Sequence, residues 1–480
     1  MRKVKIVCTM GPATEGVERL MQLIHEGMDV ARINFSHGEH QDHQRMIENL
    51  RIASRKSGRP LAIMADLCGP KIRVRKMQAG GAPLTPGATV IFDSSFGGEG
   101  TASRIPHTYA SLARDVVPGN RILLDDGLLQ VEVIRSISDH EVECKVLVGG
   151  ILKDKKGMNL PGIALSTPAL TEKDKKDLEF AKQMQIDYVA LSFVRHPNDI
   201  SQAKIIAGPS LPVLAKIEKP EAIANLEAIL KVADGAMVAR GDLGIEAGPE
   251  KVPLLQKRII SSVRAYAKPV ITATQMLDSM IVNPMPTRAE VSDVANAVLD
   301  GTDAVMLSAE TSVGKYPLEA VRMLNTIISE IEGSEHYRHS FASKQNPSSA
   351  VTTAVVAERS FSNAIAEAAV GLNNIIDIKG IAVFSESGKS AGLLSAHRPF
   401  SPLICFSRHQ QVLNRLSLYW GVIPILGEWC AEVKGIVEQA ERALLERHLA
   451  CSGDVIAITF GLTIASEPFQ TNLVKLWKIR

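Results

Sequence analysis

Two short apolar runs end in charged residues of the kind that handle phosphoryl groups. The first, residues 212–219, carries Lys216 and Glu218, and the second, residues 234–242, ends in Asp242. Each run has the length and the bounding residues of a buried parallel strand, so its charged side chains lie where the strand leaves the core. Two carboxylates suit a hard divalent cation that retains water and meets phosphate oxygens, and a lysine beside them would neutralise a transferring phosphoryl group.

These runs belong to a long alternation of strand-like and helix-like segments, which is typical of βα units. Eight strands are predicted, at residues 4–9, 30–35, 61–66, 187–193, 213–217, 235–239, 269–273 and 304–307. Helices are predicted between them, among others at residues 220–232, 249–266 and 287–299. Eight parallel strands close a (β/α)8 TIM barrel, in which chemistry sits at the carboxyl ends of the strands. We call this end of the barrel the rim.

Two further segments depart from the barrel pattern. Residues 70–164 contain alternating apolar runs and many turn signals, which predict a small inserted β-barrel domain that we call the lid. Beyond about residue 346, a helix at 350–370 and a second alternation predict an open α/β domain whose edge strand is 473–479. The predicted domains are residues 1–69 and 165–340 for the barrel, 70–164 for the lid and 341–480 for the C-terminal unit.

The composition is that of an ordinary globular protein. The chain has 54 Lys and Arg against 52 Asp and Glu, which argues against a nucleic-acid binder that depends on bulk positive charge. The six cysteines form no C-x-x-C pair, so neither a zinc site nor a disulfide framework is expected. The sequence shows no signal-type leader and no apolar stretch long enough to cross a bilayer, so we expect no membrane association and a cytoplasmic protein.

If the barrel closes, polar residues from distant parts of the sequence meet at the rim. The predicted strand ends deliver Arg32, Asn34, Ser36, His37, Asp66, Lys216, Glu218, Arg240, Gly241, Asp242 and Thr274. Several of them also admit a purely structural role. Lys216 and Glu218 can pair only with each other, Asp242 can cap a turn or helix, Thr274 can cap the segment 275–281, and His37 can mark a helix entry. A set this polar at the ends of apolar strands nevertheless favours a shared site.

Several strings of residues resemble pyruvate kinase. They are Arg-Ile-Asn-Phe-Ser-His-Gly (32–38), Gly-Pro-Lys-Ile-Arg (69–73), Lys-Gly-Met-Asn-Leu-Pro-Gly (156–162), Ala-Lys-Ile-Glu (215–218), Met-Val-Ala-Arg-Gly-Asp-Leu-Gly (237–244) and Thr-Ala-Thr-Gln-Met-Leu-Asp-Ser-Met (272–280). The likeness covers almost the whole chain in order. It implies phosphoryl transfer from phosphoenolpyruvate to ADP, giving pyruvate and ATP in the last step of glycolysis, by a homotetramer.

The resemblance also implies roles for the charged residues. Glu218 and Asp242 would bind Mg²⁺ or Mn²⁺, and Lys216 would stabilise the migrating phosphoryl group and the enolate oxygen. Arg32 and Arg73 would hold phosphate oxygens, for which planar guanidinium groups are well suited.

The remaining residues of the matching motifs would bind substrate and nucleotide. The resemblance implies that the backbone near Gly241 presents N–H groups to the substrate carboxylate and that Thr274 helps to deliver a proton to the enolate carbon, through water. Asn34, His37, Arg73 and Lys156 are similar to nucleotide-contacting positions. Because Lys156 belongs to the lid, its contribution would require the lid to close over the rim.

One departure from the family concerns a monovalent cation. Many members carry Glu where this chain has Lys71, and they bind K⁺ through oxygens that match Asn34, Ser36 and Asp66. A lysine ammonium that reaches this site would supply a fixed positive charge, and Leu67 replaces a common Thr in the same neighbourhood. We therefore expect K⁺ binding to be possible but not required for activity.

The C-terminal domain contains a small polar loop between a strand and a helix. Its residues are Ser385, Glu386, Ser387, Gly388, Lys389 and Ser390. Backbone N–H groups at a helix start, together with Ser and Lys side chains, suit a phosphate. The resemblance implies a sugar phosphate or a nucleotide as allosteric effector, and the alternative is an ordinary capped turn.

Two other functions share some of these features. A Mg²⁺-dependent barrel lyase or aldolase that acts through a pyruvate enolate would use the same carboxylates, but it needs neither the lid nor Lys156. A binding protein that senses a metabolite would not need Lys216 and Thr274 together with Glu218 and Asp242.

Overall fold

The computed structural model describes residues 2–163, 165–337, 361–428, 430, 432–461 and 471–480. Within these ranges the chain forms a closed barrel, an all-β insertion and a C-terminal α/β unit. The predicted boundary at residues 340 and 341, and residues 350–360 of the predicted helix 350–370, lie outside the described residues.

Eight parallel strands close the barrel, as the sequence predicts. They are Lys5–Thr9, Val30–Asn34, Ala62–Asp66, Tyr188–Leu191, Val213–Ile217, Gly235–Ala239, Val270–Ala273 and Ala304–Leu307. The first strand pairs with the second and also with the last, and this pairing closes the ring. Most strand residues are buried on both faces, which explains why the strands are continuous apolar runs.

Helices surround the barrel on its outer side. They are Val17–Glu26, His40–Ser57, Glu172–Gln183, Pro197–Ala207, Pro220–Ala224, Leu226–Val232, Arg240–Ala247, Val252–Ala265, Arg288–Asp300, Ala309–Ser312 and Pro317–Gly333. Two of them begin with reciprocal side-chain caps, by Thr171 with Asp174 and by Thr287 with Glu290. The cap at Thr171 confirms the prediction of a helix start there.

One helix prediction was wrong, and one helix was missed. The single helix expected at 220–232 is divided at Asn225, whose side-chain amide donates to the Arg195 carbonyl oxygen at 3.0 Å. The helix Arg240–Ala247 was not predicted at all, because Gly241 and Gly244 have low helix propensity. Position at the end of a barrel strand overrides this local preference.

The lid is an all-β unit with its own apolar core. Its strands are Gly81–Leu84, Thr89–Asp93, Arg104–Pro106, Arg121–Leu124, Leu129–Ser136, Glu141–Val148, Gly150–Lys153 and Met158–Asn159, with a short helix at Leu112–Asp115. The strands form one six-stranded and one two-stranded sheet. The all-β character is confirmed, but hydrogen bonds among the described strands do not close the expected small barrel.

Both connections between the lid and the barrel are anchored. Gly69, with φ +66°, passes so close to Phe193 that a Cβ there would lie 2.6 Å from a ring carbon. In the second connection the Arg195 guanidinium donates to the carbonyl oxygens of Leu165 and Thr167, at 2.6 and 2.7 Å. Contacts with Phe193 and Arg195 thus hold the two connections against the barrel.

The C-terminal unit is an open sheet covered by helices. Its strands, in sheet order, are Val422–Leu426, Leu403–Ser407, Ile378–Phe384, Val455–Phe460 and Leu473–Lys478. The last strand is antiparallel and lies at the edge, as predicted. The described helices are Phe361–Gly371, Lys389–Ala396, Gln410–Leu416 and Val433–Glu446.

The C-terminal unit packs on the end of the barrel opposite the rim. Leu418 joins the side chains that fill the barrel interior. A buried ion pair joins Arg398 to Asp303 at 2.7 Å, immediately before the last barrel strand. None of the helices in the described ranges combines the length and the hydropathy needed to span a bilayer.

A buried histidine makes the lid sensitive to acid. His107 is fully buried, its Nδ1 accepts from the Tyr109 N–H, and burial, assisted by the charge of Arg75, lowers its pKa from 6.5 to about 4. Between these two values the unfolded lid binds a proton that the folded lid does not, so stability falls as the pH falls. We expect a loss of about 3 kcal/mol between pH 7 and pH 4 from this residue.

Hydrogen exchange of the strand Thr89–Asp93 at the two pH values measures this loss. His107→Gln should reduce it, whereas His140→Gln, at an exposed position of the lid, should leave it unchanged. Equal acid sensitivity of the parent and His107→Gln would contradict the assignment.

Candidate active site at the barrel rim

Lys216 and the carboxylates of Asp66 and Glu218 meet at the rim, as predicted. Lys216 Nζ lies 2.8 Å from Glu218 Oε1 and 3.1 Å from Asp66 Oδ1, and the two carboxylate side chains are 1% and 2% exposed. Burial lowers the pKa of Lys216, but the charges of Asp66 and Glu218 outweigh this effect and hold the pKa above its ordinary value. Lys216 is therefore a permanently charged ammonium group within a buried cluster.

Glu218 is the second carboxyl group of this cluster. Burial raises the pKa of its carboxyl group, Lys216 opposes this shift, and the charge of Asp242 adds to it. The second oxygen of Glu218 accepts from the Phe193 N–H at 2.9 Å. Asp242 lies in the first turn of the helix Arg240–Ala247, beside the strand that carries Glu218. The two carboxylates predicted to share one cation thus lie close enough to influence each other.

Arg32 faces the same cluster from the second strand. Its Nε donates to Asp66 Oδ2 at 2.7 Å, and its Nη1 donates to Thr9 Oγ1 at 3.0 Å. Burial alone would raise the pKa of Asp66, but the charges of Lys216 and Arg32 hold it below its usual value. Asp66 is therefore an ionised carboxylate between two cations.

Thr274 also lies at the rim, but its hydroxyl has an unexpected partner. Thr274 Oγ1 accepts from the Gly241 N–H at 2.8 Å and donates to the Ala273 carbonyl oxygen at 2.6 Å. The prediction that Gly241 offers its N–H to a substrate is therefore not met in this arrangement. Thr274 does not cap the following helical turn, which starts at Asp278.

The backbone at Thr274 is strained and clamped. Thr274 has φ +69° and Gln275 has φ +54°, which are unfavourable for side chains of these types. The buried Arg240 guanidinium donates to the carbonyl oxygens of Ala273 and Thr274, and it pairs with Asp293 at 2.7 Å. Arg240, predicted at the rim, thus supports the backbone that carries Thr274.

The segment after the second strand forms a tight turn. The Asn34 side-chain oxygen accepts from the Ser36 N–H at 3.1 Å, and the Asn34 carbonyl oxygen accepts from the His37 N–H. His37 is exposed. The Phe35 N–H donates to the Asp66 carbonyl oxygen, so this turn lies beside the third strand.

Lys71 does not lie where the sequence placed it. Its side chain is exposed, and within the described part of the chain its ammonium makes neither a hydrogen bond nor an ion pair with Asn34, Ser36 or Asp66. The positive charge beside Asp66 comes instead from Arg32 and Lys216. Leu67 is buried, and its carbonyl oxygen accepts from the Ser192 hydroxyl at 2.7 Å.

The two lid residues predicted to reach the rim bond within the lid. Arg73 Nη1 donates to the Lys155 carbonyl oxygen at 3.2 Å. Lys156 Nζ pairs with Asp125 at 2.8 Å, and this hydrogen bond raises the pKa of Lys156. The structure therefore does not bring Arg73 and Lys156 together with the rim cluster.

The loop 385–390 of the C-terminal unit has most of its polar groups engaged. Ser385 Oγ accepts from the Gly388 N–H at 3.0 Å, and Ser390 Oγ bonds Thr471 Oγ1 at 2.5 Å. Ser387 Oγ accepts a long bond from the Lys389 N–H, and both of these side chains are exposed. The turn that precedes the helix Lys389–Ala396 is thus formed as predicted, with Lys389 facing solvent.

Sequence reasoning missed two groups that organise the rim. Ser192 bonds Lys216, and Lys219 forms a buried pair with Glu246 at 2.6 Å. Lys219 directly follows Glu218, so the charged end of this strand was a usable signal. Ser192 had no comparable signal, because it was included in a predicted strand.

A rim of buried lysine, arginine and carboxylates at the end of a closed parallel barrel has the charged groups that phosphoryl transfer needs. Family models described as "Pyruvate kinase, barrel domain" and "Pyruvate kinase, alpha/beta domain" match residues 1–321 and 363–477. The chain belongs to the pyruvate kinase family, and it is a phosphotransferase enzyme.

Individual relatives agree over the whole chain. The protein named pyruvate kinase of Mycobacterium tuberculosis (strain CDC 1551 / Oshkosh) is 43% identical over 485 residues, which cover 100% of this chain and 98% of that protein. Proteins of the same name from Bacillus licheniformis and Geobacillus stearothermophilus are 42% identical. Those alignments cover 100% and 99% of this chain, and 81% and 80% of the two relatives.

Proposed function

We propose that the barrel rim transfers the phosphoryl group of phosphoenolpyruvate to ADP and then protonates the enolate to give pyruvate. The observation that carries this proposal is the ammonium of Lys216 held within hydrogen-bond distance of Glu218 in a buried cluster that Asp242 also influences. Phosphoryl transfer depends mainly on positioning and on stabilising negative charge. A fixed cation in a site of low dielectric supplies that stabilisation.

Glu218 and Asp242 fit a divalent cation such as Mg²⁺ or Mn²⁺. Mg²⁺ commonly binds one or two carboxylates and completes its shell with water and substrate phosphate oxygens. Burial and, to a smaller extent, the charge of Asp242 raise the pKa of Glu218, and a cation between the two carboxylates would relieve their repulsion. Such an ion would neutralise charge on the substrate carboxylate and phosphate.

The chain's own side chains would bind and orient the substrate. Lys216 would face the migrating phosphoryl oxygens and the enolate oxygen, and Arg32 would hold phosphate oxygens with the part of its guanidinium that Asp66 and Thr9 do not use. Thr274 would pass a proton to the enolate carbon through water, because a threonine hydroxyl is too weak an acid to act alone. For the Gly241 N–H to meet the substrate carboxylate, Thr274 would have to release it.

The nucleotide would be held between the rim and the lid. Asn34 and His37 lie on an accessible turn, and Arg73 and Lys156 would join them when the lid closes and excludes water. Both lid residues would have to exchange their present partners within the lid for nucleotide phosphates.

The family assignment favours one of the two enzyme functions that the sequence allows. The two matching family models span the barrel and the C-terminal unit, which favours a kinase over a barrel lyase that has no use for a nucleotide. We further propose, on the resemblance alone, a homotetramer that works in the cytoplasm.

Matched substitutions separate the proposed roles of Lys216 and Glu218. Lys216→Met should lower kcat by about 10³-fold or more and retain Mn²⁺ binding, because it removes the cation but keeps both carboxylates. Glu218→Gln should weaken Mn²⁺ binding by about 10-fold or more. A coupled assay of ATP formation and an electron paramagnetic resonance titration of free Mn²⁺ measure the two effects. Lys257→Met, at an exposed position, is the control and should keep the parental kcat. A near-parental kcat in Lys216→Met would refute the proposed role of Lys216.

The cation requirement is a second prediction. We propose that activity does not depend strongly on K⁺, since Asp66 already lies between Arg32 and Lys216 and since Lys71 would add a positive charge when the lid closes. Turnover in buffer free of Na⁺ and K⁺ should remain within a few-fold of the K⁺ value. Lys71→Glu should become K⁺-responsive without loss of stability, because Lys71 is exposed. A loss of orders of magnitude that K⁺ restores in the parent protein would show that the proposal is wrong.

The loop 385–390 is a proposed effector site. Exposed Lys389 and Ser387 at a helix start support binding of a phosphate group of a sugar phosphate or nucleotide. Titration of sugar phosphates and AMP at low phosphoenolpyruvate should raise the rate, and Lys389→Met should weaken the response. A flat response to all of these compounds would remove the regulatory role.

A further inference from the structure

A buried serine completes the hydrogen-bonding shell of Lys216. Ser192 follows the barrel strand Tyr188–Leu191 and is 2% exposed. Its hydroxyl donates to the Leu67 carbonyl oxygen at 2.7 Å, and its oxygen lies 2.7 Å from Lys216 Nζ. A serine hydroxyl has a single hydrogen, which is used at Leu67, so towards Lys216 it acts as an acceptor.

The Lys216 ammonium has three N–H groups and three acceptors within reach. They are Asp66 Oδ1, Glu218 Oε1 and Ser192 Oγ, at 3.1, 2.8 and 2.7 Å. The acceptors come from three different strand ends, so they fix both the position and the direction of the ammonium group. Two of the acceptors are carboxylate anions, and Ser192 is the neutral acceptor for the third N–H group.

We propose that Ser192 is a positioning residue for Lys216 in the phosphoryl-transfer reaction. Without its oxygen, the two charge-assisted bonds, which are the stronger ones, would set the ammonium position alone. Ser192 would also be the acceptor that a substrate oxygen replaces at least cost, because its release uncovers no charge. The inference rests on the proposed role of Lys216 as the cation that faces the phosphoryl group and the enolate oxygen.

The Leu67 bond suggests a competing role. Ser192 could act only by supporting the Leu67 carbonyl, which lies two residues before Gly69 at the start of the lid connection. A change at Ser192 would then alter lid movement and nucleotide binding rather than the chemistry at Lys216. The two roles predict different kinetic signatures.

Ser192→Ala tests the proposal. We expect kcat for ATP formation to fall by about 10- to 100-fold, as for misplacement of a reacting group, with little change in the KM for ADP. Exchange of the pyruvate methyl protons in D2O, with Mg²⁺ and inorganic phosphate, should fall by a similar factor, because it needs the enolate stabilised but no nucleotide. Ser192→Thr, which retains the hydroxyl, should recover part of both rates.

Ser395→Ala is the matched control, since it removes a buried hydroxyl that donates to a backbone carbonyl oxygen at 2.7 Å, far from the rim. A cooperative thermal unfolding transition shows that each alanine variant is folded. If Ser192→Ala does not fold, Ser192→Gly replaces it in the same measurements, because it also removes the hydroxyl. Parental kcat and exchange in Ser192→Ala would overturn the inference. So would a raised KM for ADP with unchanged exchange, which would assign Ser192 to the lid.

The inference and the proposed function fail in distinguishable ways. If Lys216→Met keeps its activity, the proposed role of Lys216 is wrong and Ser192 has nothing to position. If Lys216→Met is inactive and Ser192→Ala is normal, only the inference about Ser192 is wrong.

Discussion

Asp66, Glu218, Lys216 and Arg32 form a largely buried cluster at the rim, in which two carboxylates and two cations offset one another's charge. Removing an ion from water costs several kcal/mol even in a relaxed protein, and only well-aligned partners offset that cost. Asp66 forms ion pairs with two cations, Arg32 and Lys216. Glu218 forms an ion pair with Lys216 only, and it accepts one hydrogen bond from the Phe193 N–H. Burial raises the pKa of both carboxyl groups. Lys216 and Arg32 together bring the pKa of Asp66 below its usual value, whereas Lys216 does not offset burial at Glu218.

The balance of charges depends on backbone geometry that is itself unfavourable. Phe193, whose N–H serves Glu218, has φ +57°, and Thr274, whose hydroxyl holds the Gly241 N–H, has φ +69°. Residues in such regions cost on the order of 1–3 kcal/mol each and persist only where their surroundings enforce them. The Phe193 backbone is held in this conformation by packing of its ring against Gly69. The Thr274 backbone is held by the hydrogen bonds that Arg240 donates to its carbonyl oxygen and to that of Ala273. Strain is thus held at the positions that orient polar groups towards the rim.

The barrel strands and the side chains at their ends could be predicted from the sequence because the strands are buried. Strands such as Gly235–Ala239 are buried throughout, so they read as unbroken apolar runs, and the order of eight such runs fixes which side chains share the rim. Lys216, Glu218 and Asp66 were placed correctly for this reason. Partners could not be predicted in the same way, because a hydrogen bond such as that between Gly241 and Thr274 depends on distances between separate strands.

The departures from prediction have local causes. Lys71 follows a glycine and a proline at the lid connection, it lies outside the barrel strands, and its side chain is exposed. The helix Arg240–Ala247 forms despite two glycines because the preceding strand delivers it to the rim. In both cases the position of the segment in the fold determines its conformation, and local sequence preference does not.

The lid is tied to this same charge balance through one carboxylate. Asn159 of the lid donates to Glu246 Oε1 at 3.2 Å, and the same oxygen pairs with Lys219 at 2.6 Å. Glu246 lies one helical turn beyond Asp242, and Lys219 follows Glu218, so this pair joins the two segments that carry the neighbouring carboxylates. A movement of the lid that displaces Asn159 would lengthen or break the hydrogen bond to Glu246. Glu246 therefore connects the lid to the two segments that carry Glu218 and Asp242.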